Sequence, residues 1–202
     1  AAVNTYMAEK KLKTPADLQV YFTNNMSNYL QSKGRRMMGW NEIMGHNLHF
    51  YQDKKDTETT QKLAKETIVH FWKGDDTLLT TAASNGYEIV NSLHNYTYLD
   101  YTYKVLPLSK AYAFDPIPEK LDPKYHDKII GLGAQMWGEW IPTNGEMHFK
   151  VFPRIAAYAE IGWTKKEHKN FATFTSALKH LQKRWTAKGI YFASDEFVEK
   201  KN

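Results

Sequence analysis

The chain has 202 residues, a formal net charge of +5, 42 % hydrophobic and 24 % charged residues, and no cysteine. At roughly 150 residues per domain this is one large α/β domain, or one domain and a remainder. The balance excludes wholesale disorder, collagen and coiled coil, and the missing thiols exclude disulfide scaffolds, thiolate zinc sites and cysteine nucleophiles.

In chain order, the opening AAVNTYMAEKKLK has no apolar h-region, so no signal peptide is expected in it. The first helix is expected from Thr14 to Lys33, with Thr14 as N-cap, Pro15 at the first helical position and Asp17 in the first turn. Leu18, Phe22, Met26 and Tyr29 recur at helical spacing and predict its buried stripe. Gly34 stops it. A short strand is expected at Arg36–Trp40, a polar loop at His46–Thr60 and a helical turn at Thr59–Lys65. Thr67–Trp72 and Tyr87–Leu93 read as strands flanking a short helix, Leu78–Ser84. A long Tyr- and Pro-rich segment, Asn95–Asp127, reads as irregular, and a loop of that length is usually functional. Ile129–Met136 reads as a fourth strand and Phe149–Trp163 as a helix. The last helix runs Asn170–Lys188, with Phe171, Phe174, Leu178, Leu181 and Trp185 as its apolar stripe. Alternating strands and helices argue for a parallel sheet with crossover helices. No apolar run approaches the roughly 20 residues a membrane helix needs.

In parallel α/β folds, function gathers at the carboxyl ends of strands. Here those ends carry Trp40, Asn41 and Glu42, then Trp72, then Tyr96, Tyr98, Asp100 and Tyr101, then Trp137 and Glu139. Aromatic residues make up 14 % of the chain. Indole faces pack on the C–H faces of sugars and on acetamido methyls, and carboxylates accept hydroxyl hydrogen bonds. Tryptophans beside carboxylates at strand ends therefore point to a small-molecule pocket, read against ordinary core packing. Glu42 and Glu139 are the bottom-up nominees for a glycosidase carboxylate pair.

Other signals are weaker. His46 and His49 lie three apart in a segment that does not read as a helix, so no metal site is expected. Gly131 and Gly133 lack the third glycine of a dinucleotide fingerprint. Lysines crowd the C-terminal part, among them Lys179, Lys183 and Lys188, but the aromatics there fall on the buried stripe. A solvated helix face is expected rather than a nucleic-acid patch.

At the strand ends the sequence resembles the catalytic barrel of family 20 glycoside hydrolases, the β-N-acetylhexosaminidases. The family's GWDEI after the fifth strand is met by Gly39-Trp40-Asn41-Glu42-Ile43, and its W-[RK]-G after the sixth by Trp72-Lys73-Gly74. Its YLD after the seventh is met by Tyr98-Leu99-Asp100, and its WGE after the eighth by Trp137-Gly138-Glu139. The stretch from Tyr112 to Pro116, and Phe152-Pro153-Arg154 through Glu160 to Trp163, are similar as well. The resemblance covers about Asp17 to Trp185 and implies an α/β fold, a (β/α)8 TIM barrel of which this chain holds about the last four β/α units plus a C-terminal helix. Residues 1–13 are then a leader, 14–163 the barrel half and 164–202 the C-terminal helix and tail.

The resemblance implies roles. Trp40, Trp72 and Trp137 wall the pocket for the substrate's N-acetyl group, Tyr98 hydrogen-bonds the acetamido oxygen, and Asp100 and Glu139 bind sugar hydroxyls. It implies removal of terminal N-acetylglucosamine or N-acetylgalactosamine from glycans by substrate-assisted retaining hydrolysis, in which the acetamido oxygen attacks the anomeric carbon. It implies no metal or organic cofactor, and an extracytoplasmic location. Three features depart from the family, one of them a longer loop between Ile43 and Thr67. Asn41 stands where the family has Asp, and the Asp-Glu pair of the family's His-x-Gly-Gly-Asp-Glu motif is missing. The chain is therefore expected to begin just after that motif, to need the upstream half of the same barrel as partner, and to be inactive alone. The alternatives are a non-catalytic carbohydrate-binding module and, from the basic charge, a nucleic-acid-binding domain.

Overall fold

The structure is a computed structural model that describes residues 2–46, 48 and 59–195. The chain divides into two units, Ala1–Asn91 with Glu119–Ile130, and Ser92–Pro118 with Gly131–Asn202.

In unit 1 the predicted first helix forms as α2, Pro15–Ser32, after a short helix α1, Ala2–Glu9, that buries nothing. Thr14 caps α2 by accepting from Asp17 N. The buried face is not the predicted stripe. Phe22, Met26 and Tyr29 are exposed, and α2 instead buries Ala16, Asp17, Val20, Thr23 and Ser27. The reason is the partner segment, 59–67, which is polar and meets polar side chains. Asp17 accepts from Thr59 Oγ1 and Thr60 N, both at 2.9 Å, Asn24 accepts from Ala64 N at 2.7 Å, and Ser27 and Thr67 share a 2.8 Å hydroxyl contact. Backbone donors of 59–64 are thus engaged by α2, and the helical turn predicted at Thr59–Lys65 does not form. Most of the predicted loop His46–Thr60, with His49, lies outside the described residues.

The strands are β1 (Met38–Trp40), β2 (Ile68–Phe71), β3 (Ile89–Asn91) and β4 (Ile129–Leu132), in the sheet order β1-β2-β3-β4. β1 with β2 and β2 with β3 are parallel, in a register that sets Trp40 beside His70 and Phe71 beside Asn91. Helix α3, Asp76–Ser84, capped by the Asp75 side chain, connects β2 to β3 and buries Leu79, Ala82 and Ala83. Val69, Phe71 and Ile89 lie buried in the sheet. Sequential parallel strands joined by a helix are the unit from which α/β barrels are assembled.

In unit 2 the predicted irregular segment carries two short helices, α4 (His94–Thr97) and α5 (Leu108–Tyr112). The helix expected at Phe149–Trp163 is two, α6 (Asn144–Val151) and α7 (Arg154–Trp163). Pro153 has no N–H to donate and cannot continue α6, so the break falls at Phe152-Pro153. α8, Phe171–Ala187, is capped by Asn170 and buries Phe174 and Leu178 against Tyr103, Leu108, Tyr112 and Ala157. Lys179, Lys183 and Lys188 stand on its exposed side. Among the described residues no helix is long and apolar enough to cross a membrane.

Candidate functional site

In unit 1 the carboxyl ends of β1 and β2 form one cluster. The parallel register makes Trp40 and His70 cross-strand neighbours, and their rings stack at 4.2 Å with 12° between planes. Trp72, directly after β2, meets Trp40 edge-on at 6.3 Å. Asn41 is fully buried, and its amide faces the backbone after β2 with both ends. Oδ1 accepts from Trp72 N at 3.0 Å and Nδ2 donates to Lys73 O at 2.8 Å. Both carboxylate oxygens of Glu42 accept from Trp72 Nε1, at 3.0 and 2.9 Å. Trp72 is therefore fixed at its backbone by Asn41 and at its ring by Glu42, with Lys73 Nζ 5.4 Å from the ring centroid. The Asn41 position needs a donor as well as an acceptor, which an ionised carboxylate does not supply. Burial lowers the His70 imidazole below its ordinary value and favours the neutral ring that stacks.

In unit 2 a second cluster forms where the chain leaves α4. Tyr98 is 7 % exposed. It bridges Gln135 in parallel fashion, with Leu99 N donating to Gln135 O at 2.7 Å and Gln135 N donating to Thr97 O at 3.1 Å. These bonds place Trp137, two residues beyond Gln135, 6.0 Å from the Tyr98 ring. Tyr101 lies 5.8 Å from Tyr98, and its hydroxyl meets His94 Nδ1 at 2.8 Å. Asp100 has a buried Oδ1 with no hydrogen-bond partner among the described residues. Beneath this segment lies Arg154, fully buried, with its guanidinium 4.2 Å from the Tyr103 ring. Burial, opposed by the nearby guanidinium, pushes the Tyr103 phenol up to about 12.

Trp40, Asn41, Glu42 and Trp72 thus come together in unit 1, and Tyr98, Asp100 and Trp137 in unit 2. Glu139 sits exposed on a 3-10 turn, Gly138–Trp140. Sequence reasoning missed His70, His94 and Arg154 as members of these clusters. His70 was signalled by its place as the one polar side chain near the end of the apolar run Ile68–Phe71. Among the described residues no group of His, Asp and Glu could hold a metal ion. A cavity of about 410 Å³ in unit 2, lined by Leu108, Phe171, Leu178 and Gln182 among others, contains none of the predicted site residues.

Comparison with known proteins points to one family. The family description "Glycosyl hydrolase family 20, catalytic domain" covers residues 1–166. A beta-hexosaminidase of Porphyromonas gingivalis is 28 % identical over 197 residues, covering 92 % of this chain and 23 % of that protein. The exo-β-N-acetylglucosaminidase of Vibrio harveyi, solved in complex with N-acetylglucosamine, superposes with a TM-score of 0.76 at 25 % identity, over 95 % of this chain and 30 % of its own. A Flavobacterium johnsoniae chitobiase gives 0.73 at 29 % identity, over 93 % and 27 %. The chain thus spans about a quarter of the length of the first two curated relatives it matches, 23 % and 26 %. On its strand-end residues, its parallel sheet and the family match, the chain belongs to glycosyl hydrolase family 20, within the catalytic domain.

Proposed function

We propose that this chain is the C-terminal half of a β-N-acetylhexosaminidase barrel, whose parent removes terminal N-acetylglucosamine or N-acetylgalactosamine from glycans. The observation that carries the reading is the Tyr98–Asp100 segment, where an oriented tyrosine stands two residues from a carboxylate with a buried, unsatisfied oxygen. Tyr98 donates its phenolic hydrogen to the acetamido oxygen and so orients the substrate's own nucleophile. That oxygen attacks the anomeric carbon as the glycosidic bond breaks, giving an oxazolinium that water then opens with retention. Asp100 and Glu139 accept hydrogen bonds from sugar hydroxyls. Trp137, beside Tyr98 in unit 2, supplies flat apolar surface for the acetamido methyl; in unit 1, Asn41 and Glu42 hold Trp72, which packs edge-on against Trp40. The general acid, and the carboxylate that steadies the acetamido nitrogen, come from the upstream half of the same barrel. No metal or organic cofactor enters the reaction. The glycans that such a parent meets are extracytoplasmic.

Hydrolysis of a chromogenic N-acetyl-β-glucosaminide tests this. Turnover is expected from a chain extended upstream through the Asp-Glu motif and not from these 202 residues alone. Tyr98→Phe in the extended chain is expected to lower kcat by about 10²-fold, the scale of losing one oriented donor. Turnover by the short chain that Glu42→Gln abolishes would place the acid within these residues and overturn the division of roles. Sugar binding by a protein whose extended chain never hydrolyses would make it a carbohydrate-binding module.

A further inference from the structure

Within unit 2, the backbone around Asp100 presents carbonyl after carbonyl to side chains rather than to other backbone. The guanidinium of Arg154 donates to backbone carbonyls throughout. Nη2 donates to Leu99 O at 2.7 Å, Nη1 to Tyr101 O at 3.0 Å and to Leu106 O at 3.1 Å, while Nε and Nη2 donate to Lys150 O at 3.0 and 2.6 Å. The ammonium of Lys150 donates to the carbonyl of Asp100 itself. Thus Leu99, Asp100, Tyr101 and Leu106 are held by two cations from the α6–α7 junction, roughly 50 residues away in sequence. Tyr158, one turn after Arg154 on α7, donates to Tyr96 O in the same way.

Buried cations normally pair with carboxylates. Here burial holds both below their ordinary values, opposed at Arg154 by the Tyr103 and Tyr158 phenols and the Asp100 carboxylate, and at Lys150 by the Asp100 and Glu146 carboxylates. Yet neither cation bonds the Asp100 side chain, and Asp100 Oδ1 keeps no partner among the described residues. The two cations hold the backbone around the carboxylate rather than the carboxylate itself. Guanidinium suits this task because its planar fork reaches several fixed acceptors at once, which an ammonium cannot.

Resting on the hydrolase reading above, we propose that Arg154, seconded by Lys150, is the positioning residue of the sugar site: it fixes the 98–106 backbone so that Tyr98 and Asp100 meet the substrate. It touches no substrate and acts through the segment it holds.

Arg154→Lys in the extended chain tests this with two readouts. Hydrogen exchange of amides 98–106 is expected to rise at least about tenfold, with α8 amides unchanged, since local opening is independent of global unfolding. Hydrolysis of the chromogenic N-acetyl-β-glucosaminide is expected to fall about 10²-fold, chiefly in kcat, the scale of a misplacement near 1 Å. A merely structural role raises exchange throughout unit 2 and leaves the kcat of the remaining folded enzyme unchanged; that result, or unchanged exchange at 98–106, overturns the proposal. If Arg154→Lys does not fold, Lys150→Met, which loosens only the Asp100 carbonyl, replaces it under the same criteria. If the wild-type extended chain does not hydrolyse the glycoside, the hydrolase reading fails, and the exchange arm alone then decides whether Arg154 positions the segment.

Discussion

The two strand-end clusters hold their aromatic residues by opposite means. In unit 1, Trp72 is fixed by an amide and a carboxylate from the residues just after β1, so parallel register alone delivers the partners. In unit 2, the Tyr98–Asp100 backbone is fixed by cations delivered from the α6–α7 junction. The first arrangement needs a correct sheet. The second also needs the helical layer, and its bonds involve charged donors, which are roughly twice as strong as neutral ones. Such a site tolerates little movement of α7, whereas the Trp72 cluster depends on sheet pairing.

Asn41→Asp breaks the local arrangement most directly. At neutral pH it removes the donor to Lys73 O and buries an anion, so a loss of about 2–3 kcal/mol is expected in equilibrium unfolding. Burial beside a carbonyl raises the introduced carboxyl above its ordinary value of about 3.9. The deficit is therefore full above that raised value and shrinks as pH falls through it, because the protonated acid again donates to the carbonyl. A deficit independent of pH would refute the dual role of the amide.

Asp17 sharpens the contrast, being a buried anion satisfied without cations. Burial pushes its carboxyl up, but donors from Lys13 N, Thr60 N, Thr59 and its own capping turn outweigh this and hold it below the usual range. The stabilisation is present above the unfolded value and lost as pH falls through the lowered folded value. Asp17→Asn is expected to cost about 1–2 kcal/mol at neutral pH and to flatten the acid limb of the stability profile. An unchanged acid limb would mean that the carboxylate's bonds do not stabilise the fold. The smallest effect is expected from Glu42→Gln, which keeps an acceptor for Trp72 Nε1 and is expected to cost under about 1 kcal/mol. A larger loss, with a shift in tryptophan emission, would show that the charge rather than the acceptor orients the ring.

Some of this was readable from residue order. Thr14, Pro15 and Gly34 mark α2, and Trp40 and Trp72 fall at the ends of β1 and β2, because caps and strand ends are local. The buried face of α2 was not readable. Periodicity selects large apolar residues such as Phe22 and Tyr29, while the polar segment it packs on selects Ser27, Thr23 and Asp17. Arg154 reads in sequence as one interior residue of the helix expected at Phe149–Trp163. Its burial arises only when residues 99–106 fold over it, a contact of high sequence separation. Asn41 reads as a lost charge, and only the register shows that an amide is what the position uses.

The most direct test of the sugar site is calorimetric titration of the extended chain with N-acetylglucosamine and with glucose, wild type beside Asp100→Asn. The account predicts that the acetamido sugar binds, that glucose does not, and that the substitution weakens binding at least about tenfold, the scale of one charged hydrogen bond. Equal binding of both sugars, or unchanged affinity in the variant, would contradict it.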